Sequence, residues 1–223
     1  MKRLTVCLTF TLAVFFVAAF TVMQKKKVIF FGDSITRGGV APNGYITLLQ
    51  QMLVKNGRDK TFELMGAGIG GNKVYDLYLR LEDDVLSKKP DLVFIYIGIN
   101  DVWHKKNNGT GTDPDKFERF YNTIIDKIQA AGAKVVICTP TVIGEKKDYV
   151  NELDGDLNKY SEIIRGIANH KNVALIDLRK AMIAYINSHN PENKAKDILT
   201  SDGVHMNDEG NRFLAEQFWE YLK

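Results

Sequence analysis

Cysteine is nearly absent from this 223-residue chain, which holds two, Cys7 and Cys138. Cys7 falls in an apolar leader, so a processed chain would keep Cys138 alone. That excludes an intramolecular disulfide even in an oxidising compartment. Cys138 ends the apolar run Val135-Val136-Ile137-Cys138, where it reads as a small buried hydrophobe. The five prolines and 18 glycines are scattered, and no repeat, low-complexity tract or Pro/Gly-rich linker divides the chain. Histidine is scarce as well, at four residues, and none has metal-ligand spacing such as H-E-x-x-H. An excess of one charge is also missing, with 30 Lys and Arg against 27 Asp and Glu. Loss of Lys2 and Arg3 with the leader makes that 28 against 27, which is no electrostatic footprint for nucleic acid. Lys25-Lys26-Lys27 reads as a solvated approach to the first strand.

What is present begins with that leader. Lys2 and Arg3 precede an uncharged stretch from Leu4 to Met23, and Val17-Ala18-Ala19 offers small residues for cleavage. Residues 1–23 therefore read as a secretory signal, with an uncleaved N-terminal anchor as the alternative, since about twenty apolar residues also span a bilayer. Cys7 lies too early in the run to resemble a lipid-attachment cysteine. The expectation is an exported protein, periplasmic or secreted, with no stable membrane partner unless the leader is retained. Residues 24–223 are the right length for a single domain with a sizeable core.

Strands and helices alternate along that domain. Val28-Ile29-Phe30-Phe31 is a short buried strand, and helical patterning resumes only near Tyr45, over residues 44–56. Further strands are expected at 61–65, 92–97, 134–139 and 173–176. Helices are expected at 72–88, 114–131 (opened by Pro114 and ended by Gly132), 153–169, from the end of the last strand to about 188, and 208–222. Near-continuous apolar strands alternating with helices imply a parallel sheet covered on both faces, an α/β fold.

The carboxyl ends of these strands carry an unusual set of residues. The first runs into Gly32-Asp33-Ser34, the second into Gly66-Ala67-Gly68-Ile69-Gly70-Gly71-Asn72 and the third into Gly98-Ile99-Asn100-Asp101. Asp202-Gly203-Val204-His205 precedes the last helix. Open α/β sheets place their ligands at this edge. Ser34 is a candidate nucleophile there, and a weak hydroxyl needs a neighbouring base whose ring a carboxylate orients. His205 and Asp202, three residues apart, can supply both. The developing oxyanion needs donors, and an unobstructed backbone N–H at Gly71 and the side-chain amide of Asn100 are suitable. Asp33 and Asp101 read as turn and hydrogen-bonding residues.

Gly-Asp-Ser-Ile at 32–35, the glycine-rich turn at 68–71, Gly-Ile-Asn-Asp at 98–101 and Asp-Gly-Val-His at 202–205 together resemble the four blocks of the SGNH/GDSL hydrolases, in order and spacing. Ile35 stands where the family's name has leucine. The resemblance implies a flavodoxin-like three-layer α/β/α sandwich with a five-stranded parallel sheet. It also implies a serine esterase without metal or cofactor, with Ser34 the nucleophile, His205 the base and Asp202 its orienter. The backbone N–H groups of Ser34 and Gly71 and the Asn100 side chain would form the oxyanion hole.

Gly66, Gly68 and Gly71 also match the dinucleotide fingerprint G-x-G-x-x-G. The acid that this needs at the end of the next strand is missing, because Asp91 stands at that strand's beginning. Other readings are a glycan-binding module that kept the fold without the activity, and acyl transfer to an alcohol in place of water. Residues 102–115 and 142–156 read as polar, charged loops without the apolar stretch of a lipid lid. They point to a small acyl group, acetyl above all, on a small-molecule or glycan carrier, with lysophospholipid or thioester hydrolysis as the alternative. Trp103 reads as a sugar-stacking surface or a pocket wall, and His104 lies close enough to Asn100 to reach the pocket. The remaining histidines, His170 and His189, read as exposed or structural. Asn108-Gly109-Thr110 fits a glycosylation pattern but reads as a flexible loop.

A base must be unprotonated to work. kcat/KM should therefore rise through the range where histidines titrate and level off above it. A rate flat from about pH 5 to 8 would count against His205 as the base.

Overall fold

The computed structural model describes residues 24–223, and the export signal expected over residues 1–23 lies outside the described residues. The elements are β1 (Lys26–Gly32), α1 (Ser34–Gly39), α2 (Tyr45–Lys55), β2 (Phe62–Gly68), α3 (Val74–Leu79), α4 (Leu81–Asp84), β3 (Leu92–Tyr96), α5 (Ile99–Asn108), α6 (Pro114–Ala130), β4 (Lys134–Cys138), α7 (Asp154–Lys171), β5 (Ala174–Ile176), α8 (Leu178–His189) and α9 (Asp208–Trp219). The strands form one parallel sheet in the order β2-β1-β3-β4-β5. This is the doubly wound, flavodoxin-like order, whose topological switch point lies between β1 and β3.

Strand side chains alternate between faces, so each strand feeds two helical layers. Phe30 and Phe94 point to one face. They stack at 4.9 Å and meet the Phe218 ring of α9 edge-on at 5.4 and 5.2 Å, and Tyr45 of α2 stacks on Phe218 at 5.1 Å. These offset and T-shaped arrangements suit aromatic quadrupoles. Ile95 and Phe31 serve the other face, where the Tyr121 hydroxyl of α6 donates to the Ile95 carbonyl and Phe117 packs on Tyr160 of α7. Val28, Ile29, Phe31, Val93, Phe94, Ile95 and Ile137 are fully buried. Burial on both faces is why these strands are continuous apolar runs. Cys138 is a buried free thiol, as its sequence setting implied.

Three expectations need correction. Residues 72–88 form two short helices and a 3₁₀ turn (Leu86–Lys88) in place of one helix, with the first break at Arg80 (φ −106°, ψ 9°). There the guanidinium turns into the sheet edge. It donates to the carbonyls of Gly32 at 2.7 Å and Ala67 at 3.2 Å, and lies 4.5 Å over the Phe31 ring. Residues 34–39, read as non-helical, form α1, because the Asp33 carboxylate caps the turn by accepting from Ile35 N at 3.0 Å. The first half of the 102–115 loop is helix α5, which carries Trp103 and His104 on its second turn.

Two buried carboxylates fix the backbone near the site. Glu145, fully buried, accepts from the backbone N–H of Ile198 (2.8 Å), Leu199 (2.7 Å) and Thr200 (2.8 Å). Gly144 N donates to Gly203 O at 2.8 Å. The segment before residues 202–205 is thereby tied to the segment after β4. Asp101, also buried, holds the start of α3 by accepting from Val74 N with both oxygens, at 3.2 and 3.3 Å. Burial pushes its carboxyl up to about 7 against the pull of the Val74 N–H, and the nearby Asp33 charge adds to the rise.

Glu145→Ala would leave three buried N–H groups unpaired. It should destabilise the fold by about 2–5 kcal/mol in urea unfolding, with Glu145→Gln costing less because an amide oxygen still accepts. Asp101 holds its proton more tightly when folded than when unfolded. Its contribution to stability is therefore full below the ordinary carboxylate value and is lost as pH rises toward about 7. Wild type should lose ground to the permanently neutral Asp101→Asn variant as pH rises from about 4.5 to 7, measured by paired unfolding curves. A stability difference independent of pH would contradict this.

Candidate active site

The parallel register aligns Gly32 with Gly68 on one side and with Tyr96 on the other. The segments beyond these residues therefore leave the sheet side by side. Ser34 is the first residue of α1, on the turn beyond β1 at the switch point, and is half-buried. His205 comes from the other end of the sequence. An antiparallel bridge between Thr200 and Met206, with Ser201 N donating to His205 O at 2.9 Å, closes a tight loop around residues 201–205. Within it Asp202 Oδ1 accepts from Val204 N at 2.9 Å and His205 N at 2.7 Å.

These two segments bring together a continuous hydrogen-bonded chain. Asp202 Oδ2 lies 2.7 Å from His205 Nδ1, and His205 Nε2 lies 2.9 Å from Ser34 Oγ. A carboxylate facing Nδ1 fixes the tautomer with its proton there, which leaves Nε2 free to accept the serine proton. Partial burial works to raise the Asp202 carboxyl, but the His205 ring and the two loop N–H groups outweigh it and hold it below the usual carboxylate range. Asp202 is thus charged where it can stabilise an imidazolium.

The proposed oxyanion donors flank this chain. Among the described residues, the backbone N–H groups of Ser34 and Gly71 have no hydrogen-bond partner. Gly71 sits at φ +77°, where a side chain would strain the turn. Asn100, buried, donates one Nδ2 hydrogen to Asn72 O at 3.0 Å and keeps the other. Gly68 is required for a different reason: a Cβ there would lie 2.1 Å from Arg37 N, so α1 could not approach β2. Trp103 and His104 come to the same edge. The Trp103 ring lies 6.4 Å from His205 and 5.9 Å from His104, whose Cε1 would be 3.6 Å from a Cβ on Gly71. Burial first, and the Lys73 charge second, lower the His104 pKa and favour its neutral ring.

Two supporting residues, Arg80 and Glu145, carried no motif in the sequence. Arg80 Nε donates to Asn72 Oδ1 at 2.7 Å, and Asn72 O receives the Asn100 amide, so the guanidinium that pins β1 and β2 also steadies that donor. Glu145 does the same for the approach to Asp202 and His205. Hydrophobic periodicity cannot reveal such residues, because their partners are backbone groups far away in sequence. Asp33 caps α1 beneath Ser34, as its turn chemistry implied. Burial pushes its carboxyl up to about 7, against the Ile35 N–H and the His205 charge. Asp91 precedes β3, at the amino edge, and accepts from Lys27 N at 2.7 Å, which leaves the glycine fingerprint without its ribose-binding acid.

The chain resembles known proteins in sequence and fold. The chain is 59% identical to a solved acetyl xylan esterase, with a TM-score of 0.87 over 88% of this chain and all of that one. It is 27% identical to an acetylxylan esterase of Geobacillus stearothermophilus, over 86% of this chain and 92% of the relative. An uncharacterised lipoprotein of Bacillus subtilis is 26% identical, over 86% and 87% of the two chains. The profile of the GDSL-like lipase/acylhydrolase family spans residues 30–213, from the strand before Ser34 to the helix beyond His205, and the chain belongs to that family.

Proposed function

We propose that this carboxylic ester hydrolase removes acetyl groups from a carbohydrate, with acetylated xylan and its oligosaccharides as the first substrates to test. The observation that carries the chemistry is the chain Asp202–His205–Ser34, joined at 2.7 and 2.9 Å. Ser34 Oγ attacks the ester carbonyl carbon while His205 Nε2 takes its proton. The carbonyl oxygen becomes an oxyanion facing the N–H groups of Ser34 and Gly71 and the free hydrogen of Asn100 Nδ2. Collapse breaks the bond to the alcohol, which departs with the proton from His205, while the acetyl group stays on Ser34. Water, deprotonated by the same ring, then releases acetate. Asp202 stays ionised throughout and stabilises the imidazolium.

The substrate class is supported by the two acetylxylan esterases to which the chain is similar. Trp103 stands beside the His205 ring and offers an aromatic surface at the same edge of the sheet. Export as a single domain, residues 24–223, behind a signal at residues 1–23 is part of the same proposal. The lipoprotein relative supports it, and among the described residues no helix is long and apolar enough to cross a membrane.

Hydrolysis of 4-nitrophenyl esters of increasing acyl length tests this reading. Acetate should be preferred, and Ser34→Ala should lower kcat by about 10³-fold or more. Preference for acyl chains of about eight carbons would favour lipid or thioester hydrolysis, since each added methylene is rewarded only by a matching apolar pocket. Equal rates for wild type and Ser34→Ala would overturn the nucleophile.

A further inference from the structure

A cleft of about 280 Å³ opens directly from the nucleophile, lined by Ser34, His205, Met206, Asn43, Asp208 and Asn211. It lies between the segment that follows β1 and the start of α9. Gly71 and Asn100, the proposed oxyanion donors, do not line it. Tetrahedral geometry gives that asymmetry a meaning. The four substituents of the intermediate are Ser34 Oγ, the oxyanion, the acyl group and the leaving oxygen. The oxyanion must face Gly71 and Asn100, whereas the leaving oxygen must face His205 Nε2 to receive its proton. The alcohol therefore departs on the His205 side, into the cleft that His205 borders.

The cleft's polar groups differ in their freedom. Asn211 is already engaged, accepting from Tyr45 N at 3.0 Å and donating to Asn207 O at 3.0 Å. Asn43 and Asp208 are exposed and joined to each other only by a long 3.4 Å bond from Asn43 Nδ2 to Asp208 Oδ1. That leaves an amide hydrogen, an amide oxygen and a carboxylate oxygen without a hydrogen-bond partner among the described residues. Among the described residues Asp208 has no ion-pair partner. A free carboxylate accepts hydroxyl hydrogens strongly, rejects phosphate and other anions, and is costly to cover with a hydrocarbon chain. Met206 adds an apolar surface for the C–H face of a ring. The volume of about 280 Å³ lies just below the roughly 300–1,000 Å³ usual for small-molecule sites, which fits one ring and not a long acyl chain.

We propose that this cleft is the leaving-alcohol subsite, and that Asn43 and Asp208 select a neutral, polyhydroxylated carrier such as one sugar ring. The proposal rests on the esterase reading above and deepens it. Asn43 and Asp208 grip the carrier, while the acetyl group occupies the remaining position beside Ser34.

The test compares kcat/KM on acetylated xylobiose with kcat/KM on 4-nitrophenyl acetate, whose leaving group has no hydroxyls to grip. In Asp208→Ala and in Asn43→Ala the ratio of the two should fall about tenfold or more, chiefly through KM for the sugar ester. Asp208→Asn, which keeps the shape and one acceptor, should recover part of the loss and serves as the readout if the alanine variants do not fold. A ratio within about twofold of wild type in all three variants overturns the subsite. Wild type that cleaves 4-nitrophenyl acetate but not acetylated xylobiose overturns the carbohydrate reading and the subsite with it.

Discussion

Everything in this protein's chemistry depends on the register of three parallel strands. Gly32, Gly68 and Tyr96 lie level across β2, β1 and β3, so the residues just beyond them leave the sheet together at the switch point. A shift of two residues in either pairing would move Gly71 or Asn100 by nearly 7 Å relative to Ser34, given the roughly 3.3 Å rise per strand residue. The register is held by large apolar side chains with little freedom to slide, above all Phe30 and Phe94 stacked beneath Phe218. The core that gives stability is the same object that gives alignment.

The site edge adds charge to that alignment. Arg80 reaches from the break after α3 to three places at once, the Gly32 carbonyl before Ser34, the Ala67 carbonyl on β2 and Asn72 behind the Asn100 amide. Glu145 binds three successive N–H groups on the way to Asp202 and His205. Buried charges are expensive unless hydrogen-bonded, so each has one geometry that satisfies it and a large penalty for others. Rigidity at the edge therefore comes from polar groups, where the apolar core beneath cannot specify orientation. Asp202, exposed and charged, differs from the buried Asp33 and Asp101, whose carboxyls are pushed up to about 7. One loop thus keeps an ionised carboxylate beside His205, while burial raises the two carboxyls below the site.

The fold class and the residues of the candidate site were legible in the sequence. The alternation of apolar runs with amphipathic segments indicated a parallel α/β sheet, because strands buried on both faces leave no polar alternation. Ser34, Gly71, Asn100, Asp202 and His205 stood out because turn chemistry and reactive groups coincide at strand ends. The misreadings share a cause. Helix α1 depends on the Asp33 cap, α5 on a start at Gly98 with φ +129°, and the break at Arg80 on carbonyls of other strands. Each is decided by a local dihedral or a distant partner that periodicity does not report.

The sequence by itself determined the sheet, its burial and the candidate reactive groups, since hydrophobic period and residue chemistry are local properties. Only the tertiary structure decided how those groups are aimed. The 2.9 Å contact between Ser34 and His205 joins residues 171 apart, and the cleft that Asn43 and Asp208 share exists only where the chain after β1 meets the start of α9. Such contacts depend on how packed layers bring distant segments together, and no stretch of sequence contains that distance.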